Sequence, residues 1–207
     1  MDRDTKLSDI LKDFENGLNI MNKFKKPAIT VFGSARIKED KQAYKDAVNL
    51  SEKISKELNF NIITGGGPGI MEAANKGSHG VENTESIGIG IILPFEDGGN
   101  QYTSVNEQFK YFFSRKVMLI NYSRAYIAMQ GGFGTLDEIF EVLTLMQTSK
   151  IPKSKIYLVD VEFYKPLMEF IKTSLLKNNL INKEDLDLLV LTDDFDFIIE
   201  DLKKIEK

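Results

Sequence analysis

From residue 28 to the end of the chain, short apolar runs alternate with segments of helical spacing. The runs cover residues 28–32, 61–64, 87–93, 125–129, 155–159 and 188–191, and most stop at glycine or proline. Nearly unbroken apolarity over so few residues is the mark of strands buried on both faces. The alternating aromatics of 109–113 read as one more strand, after a loop over 95–106. Between the runs, apolar residues recur at a period near 3.6. Ala43, Ala47, Leu50, Ile54 and Leu58 follow Asp40, which is placed to cap their helix. Further helices are predicted from Pro68, over 114–121, over 135–147, around Leu167, Phe170, Ile171 and Leu175, and through Ile198, Leu202 and Ile205. Ahead of all this, Leu7, Ile10, Leu11, Phe14, Leu18 and Met21 line one amphipathic helix over 7–24, stopped by Lys25-Lys26-Pro27. The chain therefore divides into a helical extension, 1–26, and one α/β domain, 27–207, with helices on both faces of a mostly parallel sheet.

In such a sheet, ligands bind beyond the carboxyl ends of the strands, at the point where strand order reverses. Three strand-to-helix loops there are rich in glycine: Gly33-Ser34-Ala35-Arg36, Thr64 through Gly69, and Gln130 through Thr135. Glycine lets backbone approach a ligand, and the helix N-terminus beyond it offers free N–H groups to an anion. Three such loops on one edge predict a phosphate-bearing ligand. Dinucleotide binding requires G-x-G-x-x-G, but Glu72 and Asp137 stand where the third glycine belongs. No G-x-x-x-x-G-K-[ST] occurs. A single phosphate, as on a mononucleotide, fits better.

Composition narrows the chemistry. There is no cysteine and a single histidine, His79. Thiol nucleophiles, disulfides and iron–sulfur clusters are excluded, and soft metal sites lack ligands. His79 lies in a helix-to-strand turn, on the edge away from the ligand, and reads as a surface residue. Acid–base work falls to carboxylates, Lys, Arg or Tyr. The net charge of −4 is concentrated in residues 183–207, with nine acids against four lysines. The rest is nearly neutral, without the basic stripe of a nucleic-acid binder. No apolar run is long enough for a membrane span, and the charged N-terminus is unlike a secretory signal, so a cytoplasmic protein is expected.

Two features mark candidate catalysts. Thr135-Leu136-Asp137-Glu138 matches a capping box ahead of an apolar helix face, and it also puts a carboxylate one turn beyond the third glycine loop, about where a ribose would sit. Arg115 and Lys116 open the helix predicted at 114, where a cation opposes the helix dipole and calls for an anionic partner, a phosphate or a carboxylate.

These residues together resemble the Lonely-guy (LOG) family. Its signature P-G-G-x-G-T-x-x-E is met by Gly131-Gly132-Phe133-Gly134-Thr135-Leu136-Asp137-Glu138, with the upstream Arg115-Lys116 pair, and Thr64 through Ala73 resembles its second glycine motif. Gln130 replaces the signature proline, which costs loop rigidity but no contacting group. The segment from Leu93 to Phe113 is similar to a bacterial branch with a longer N-terminus. The resemblance implies a Rossmann-like fold, a homodimer, no cofactor and no metal. It implies hydrolysis of the N-glycosidic bond of a nucleoside 5′-monophosphate, AMP or a cytokinin nucleotide, to free base and ribose 5-phosphate. On it, Glu138 and Arg115 are the catalytic residues. Gly131, Gly132, Phe133, Gly134 and Thr135 hold the phosphate, Lys116 and Thr144 are further contacts, and Ser34, Gly67 and Glu96 line the site. Glu72 and Glu96 are the reserve carboxylates. The competing reading is a nucleotide or cofactor carrier that keeps the glycine loops and needs neither catalyst. The "lysine decarboxylase" label long attached to the family has no support here, because no lysine is marked out as a cofactor-linked one.

Overall fold

The computed structural model describes residues 5–93 and 98–205. Seven strands form one sheet in the order β4-β3-β2-β1-β5-β6-β7, every neighbouring pair parallel. They are β1 Ala28–Phe32, β2 Asn61–Thr64, β3 Ser86–Ile91, β4 Val105–Phe109, β5 Ala125–Ala128, β6 Ile156–Leu158 and β7 Leu189–Leu191. β1, β2, β5 and β6 are buried at every position, as their unbroken apolar runs predicted. The helices are α1 Leu7–Met21, α2 Gln42–Leu58, α3 Ile70–Ser78, α4 Phe112–Asn121, α5 Phe133–Gln147, α6 Val161–Phe170 and α7 Phe195–Leu202. One core layer joins the sheet to α1, α4, α5 and α6, through residues such as Met118, Ile139, Val142 and Tyr164. The other joins it to α2, α3 and α7 through Leu50, Ile54, Ala73 and Ile198. Strand order reverses at β1, whose neighbours are β2 and β5. The crevice between the ends of β1 and β5 is thus the topological switch point.

Three expectations need correction. The strand expected at 109–113 lies at Val105–Phe109, starting inside the expected loop, and Phe112 already belongs to α4. β4 is the sheet's edge, and its Asn106, Glu107 and Gln108 are polar because one side faces water. An edge strand shows no apolar run to find. Asp40 does not cap α2: the N-cap is Lys41, and no side chain bonds the helix start. The helix expected from Pro68 starts at Ile70.

α1 docks through Phe14, Ile20 and Met21, with Asp13 and Gly17 on the same side. Leu7, Leu11 and Leu18 point outward, while Asp13, Gly17 and Met21 are buried against α4 and the end of β4.

Candidate active site

The switch-point crevice opens into a cavity of about 870 Å³ lined by all three glycine loops. That volume suits a nucleotide-sized ligand. The loops are tied together at their roots. Ser34 N–H donates to Gln130 O (2.9 Å), and Ile70 N–H donates to Ser34 O (3.0 Å). The second loop hangs on a buried amide pair: Asn100 donates from its side chain to Gly66 O and Gly67 O (3.1 Å each) and to the Asn75 Oδ1 (2.9 Å), which also accepts from the Thr64 hydroxyl (2.6 Å). Gly66 sits at φ +71°, where a side chain would be strained.

The third loop ends in the N-terminus of α5. Its N-cap, Gly132, has no side chain to give, and the first helical donor with a backbone acceptor is Leu136 N–H, to Gly132 O (3.0 Å). The N–H groups of Phe133, Gly134 and Thr135 precede it, and the geometry of a helix start leaves them unbonded within the helix. A Cβ on Gly131 would strike the Thr135 side chain at 2.1 Å, whereas at Gly132 and Gly134 it would meet nothing within 4 Å. The protein fills the inner side of this loop and leaves the outer side open. Phe133, 94% exposed, stands at the mouth.

Here the capping-box reading fails. Thr135 is the third residue of α5, not its N-cap, and its side chain makes no capping bond. Glu138 turns instead toward α4, where its Oε1 lies 3.3 Å from the Arg115 guanidinium. The two side chains are 14% and 9% exposed. Arg115 Nε donates to Ile89 O at 2.9 Å, and Gly65 makes room for it, since a Cβ there would lie 2.5 Å from Nη2. Arg115 is thus held by β3 and aimed at Glu138, the carboxylate partner that its place near a helix N-terminus called for. Burial pushes the Glu138 carboxyl up to about 7; Arg115 and Lys116 pull it down, and Asp137 and Glu141 push it further up. A carboxyl poised near neutrality can both give and take a proton at working pH.

Lys116 reaches the same wall but is already engaged, 2.6 Å from both Asp137 and Glu141. Burial works against its charge; the hydrogen bonds to those two acids outweigh it and hold its pKa above the ordinary lysine value. Gln130, in place of the signature proline, is not idle. Its amide donates to the Asp160 carboxylate, whose other oxygen caps α6 at Phe163 N–H (3.0 Å). The rigidity lost with the proline returns as a side-chain tether.

Ser34, Gly67, Gly131, Gly132, Phe133, Gly134, Thr135, Arg115, Lys116 and Glu138 all line the cavity. Thr144 does not. It is exposed near the far end of α5, about 16 Å along the axis from Phe133, and its hydroxyl donates back to Phe140 O. Glu72 also drops out as a reserve: its carboxylate accepts from the Tyr44 hydroxyl at 2.8 Å, and it does not line the cavity. Glu96 lies outside the described residues. His79 is exposed, its ring 2.9 Å from Tyr102 O, and does not line the cavity. Residues the sequence did not single out complete the walls, among them Met71, Gln108, Phe112 and Phe163.

A family model described as "Possible lysine decarboxylase" matches residues 71–202. The cytokinin riboside 5′-monophosphate phosphoribohydrolase LOG of rice (Oryza sativa subsp. japonica) is 34% identical over 145 residues, 67% of this chain and 57% of the rice protein. LOG1 of Arabidopsis thaliana, named for the same activity, is 32% identical over 74% of this chain and 71% of its own length. The chain belongs to the LOG family. It spans a little over half the length of the rice LOG and about seven-tenths of the Arabidopsis one. Among solved structures, a molybdenum cofactor binding protein from Rippkaea orientalis superposes with a TM-score of 0.61 at 22% identity, covering 89% of this chain and 99% of that one. That likeness bears on the shared α/β fold alone.

Proposed function

We propose that this LOG-family protein hydrolyses the N-glycosidic bond of a purine nucleoside 5′-monophosphate to free base and ribose 5-phosphate. The observation that carries the reading is the buried Arg115–Glu138 pair set about 7.5 Å along α5 from its open N-terminus. The helix start and the 131–135 loop take the 5′-phosphate. The sugar then lies over Glu138. As the bond from C1′ to the base breaks, its electron pair leaves with the base and positive charge grows on the ribose. Water attacks C1′, and the proton it loses ends on the departing base. Glu138, near neutrality, takes the proton of that water and offsets the growing charge. Arg115 orients the carboxylate. The names of the curated relatives support the same bond and a cytokinin base; AMP is the unsubstituted alternative.

Two further parts of the reading are ours. The protein works as a homodimer, which the exposed Leu7, Leu11 and Leu18 of α1 support as surface in search of cover. It is not a decarboxylase of the kind the family's description suggests. Among the described residues lining the cavity, Lys116 is the one lysine, and its two acidic partners oppose the proton loss a cofactor-linked lysine requires. A carrier on this scaffold would have no use for a buried carboxyl poised near neutrality.

The deciding experiment incubates the purified protein with AMP, isopentenyladenosine 5′-monophosphate and the two nucleosides, and follows free base. Release from a monophosphate but not from its nucleoside is expected. Tight binding without release from any of them would leave the carrier reading.

A further inference from the structure

We propose that Asp13, on the N-terminal helix α1, is a positioning residue of this site: it clamps the backbone leading into α4 and the Ser114 side chain of its first turn, and so sets where Arg115 meets Glu138. The proposal rests on the catalytic reading of that pair. α4 cannot cap itself, because its N-cap residue is Tyr111, with no side-chain bond to the helix start and no acid in the first turn. The start of α4 is held instead from 98 positions upstream. The Asp13 carboxylate accepts from Lys110 N–H (3.1 Å to each oxygen), Tyr111 N–H (3.0 Å) and the Ser114 hydroxyl (2.6 Å). Ser114 is fully buried and directly precedes Arg115.

The way α1 docks points to the same role. A carboxylate inside a packed helix face is costly unless every lone pair is used, and Asp13 is only 9% exposed. Beside the packed Phe14, Ile20 and Met21, Asp13 and Gly17 also face the protein, while Leu7 and Leu11 stay 69% and 60% exposed. Gly17 brings the two helices close: a Cβ there would lie 2.8 Å from both Met118 and Phe109. Gly in a helix costs about 0.5–1 kcal/mol relative to Ala, so close approach has been favoured over helix propensity. The extension is therefore a brace for the helix carrying Arg115, and a misplacement of about 1 Å at a reacting group costs on the order of 10² in rate.

The test compares Asp13→Ala and Asp13→Asn with Met21→Ala, which weakens α1 packing at a residue 1% exposed and away from the α4 start. Three quantities are read: the melting temperature, kcat and KM for base release from the preferred monophosphate, and the titration of the Glu138 carboxyl by 13C NMR. Glu138 is faced by Arg115 and Lys116 from α4 and by Asp137 and Glu141 on its own helix. Asp13→Ala should lower kcat by about 10–100-fold with KM within about threefold, and raise the Glu138 midpoint as Arg115 draws away. Asp13→Asn keeps one acceptor oxygen and should recover part of both. Met21→Ala should lower the melting temperature while leaving kcat and the Glu138 midpoint near wild type. Equal loss of kcat in Asp13→Ala and Met21→Ala at equal loss of stability would overturn the proposal, as would an unmoved Glu138 midpoint in a folded Asp13 variant. Should alanine at 13 prevent folding, the asparagine variant decides. Should the wild type release no base, the catalytic reading fails, while the Glu138 titration still tests the bracing.

Discussion

At Glu138 one tetrapeptide supported two readings, and the structure separates them. Freed from capping, its carboxylate is spent on Arg115 and the cavity, so Glu138→Gln tests function rather than helix stability. Loss of a positioned acid–base group costs about 10²–10⁴ in rate, and that drop in kcat is expected with nucleotide binding retained. A stability signature accompanies it. The folded carboxyl titrates near 7, above its unfolded value, so the folded state holds the extra proton between about pH 4.5 and 7. Stability from this group is therefore present below that window and lost as pH rises through it. Melting curves of wild type against Glu138→Gln should favour the variant increasingly from pH 5 to 8, by roughly 1–3 kcal/mol in all. A constant gap across that range would mean the carboxyl is not buried as described. Thr144→Ala, by contrast, should leave KM and kcat within about twofold, since its hydroxyl serves only its own helix.

At the scale of elements, the site is the meeting of two helix starts. α5 brings open N–H groups, α4 brings Arg115, and the glycines decide how near they come. Gly65→Ala would press its methyl against the guanidinium, 2.5 Å from Nη2. The expected result is a kcat loss of at least tenfold in a protein that still folds, read by steady-state kinetics beside a melting curve. The tether of the third loop gives a paired test. Gln130→Ala cuts the bond to Asp160 and should raise KM for the monophosphate several-fold. Gln130→Pro restores stiffness by fixing φ and should recover most of it. An unchanged KM in Gln130→Ala would mean that the loop is held by its backbone bonds alone.

For the whole molecule, the sheet's reversal at β1 gathers three loops far apart in sequence over one crevice. Among the described residues, no helix is long and apolar enough to cross a membrane. Sedimentation at micromolar concentration is expected to report a dimer. Substituting Leu7 and Leu11 by glutamate would shift it toward monomer if α1 forms the contact, and leave it unchanged if another face does.

The strand alternation, the buried parallel sheet and the glycine loops at its carboxyl edge were all readable in the linear pattern, because burial on both faces forces continuous apolarity and a close phosphate forces glycine. The signature around Gly131–Glu138 was equally plain. What the linear pattern could not reveal is set by partners distant along the chain. The edge strand β4 hid in a polar stretch because half of it faces water. Asp13 and Gly17 carry no signal in the apolar pattern of α1, and only the packing of α1 on α4 makes one an anchor for the start of α4 and the other a point of contact. Glu138 meets Arg115, 23 residues away and across a strand, and burial then moves its proton affinity toward neutrality. Local periodicity fixes which face is apolar; which polar groups share a buried space is decided only when the chain has folded.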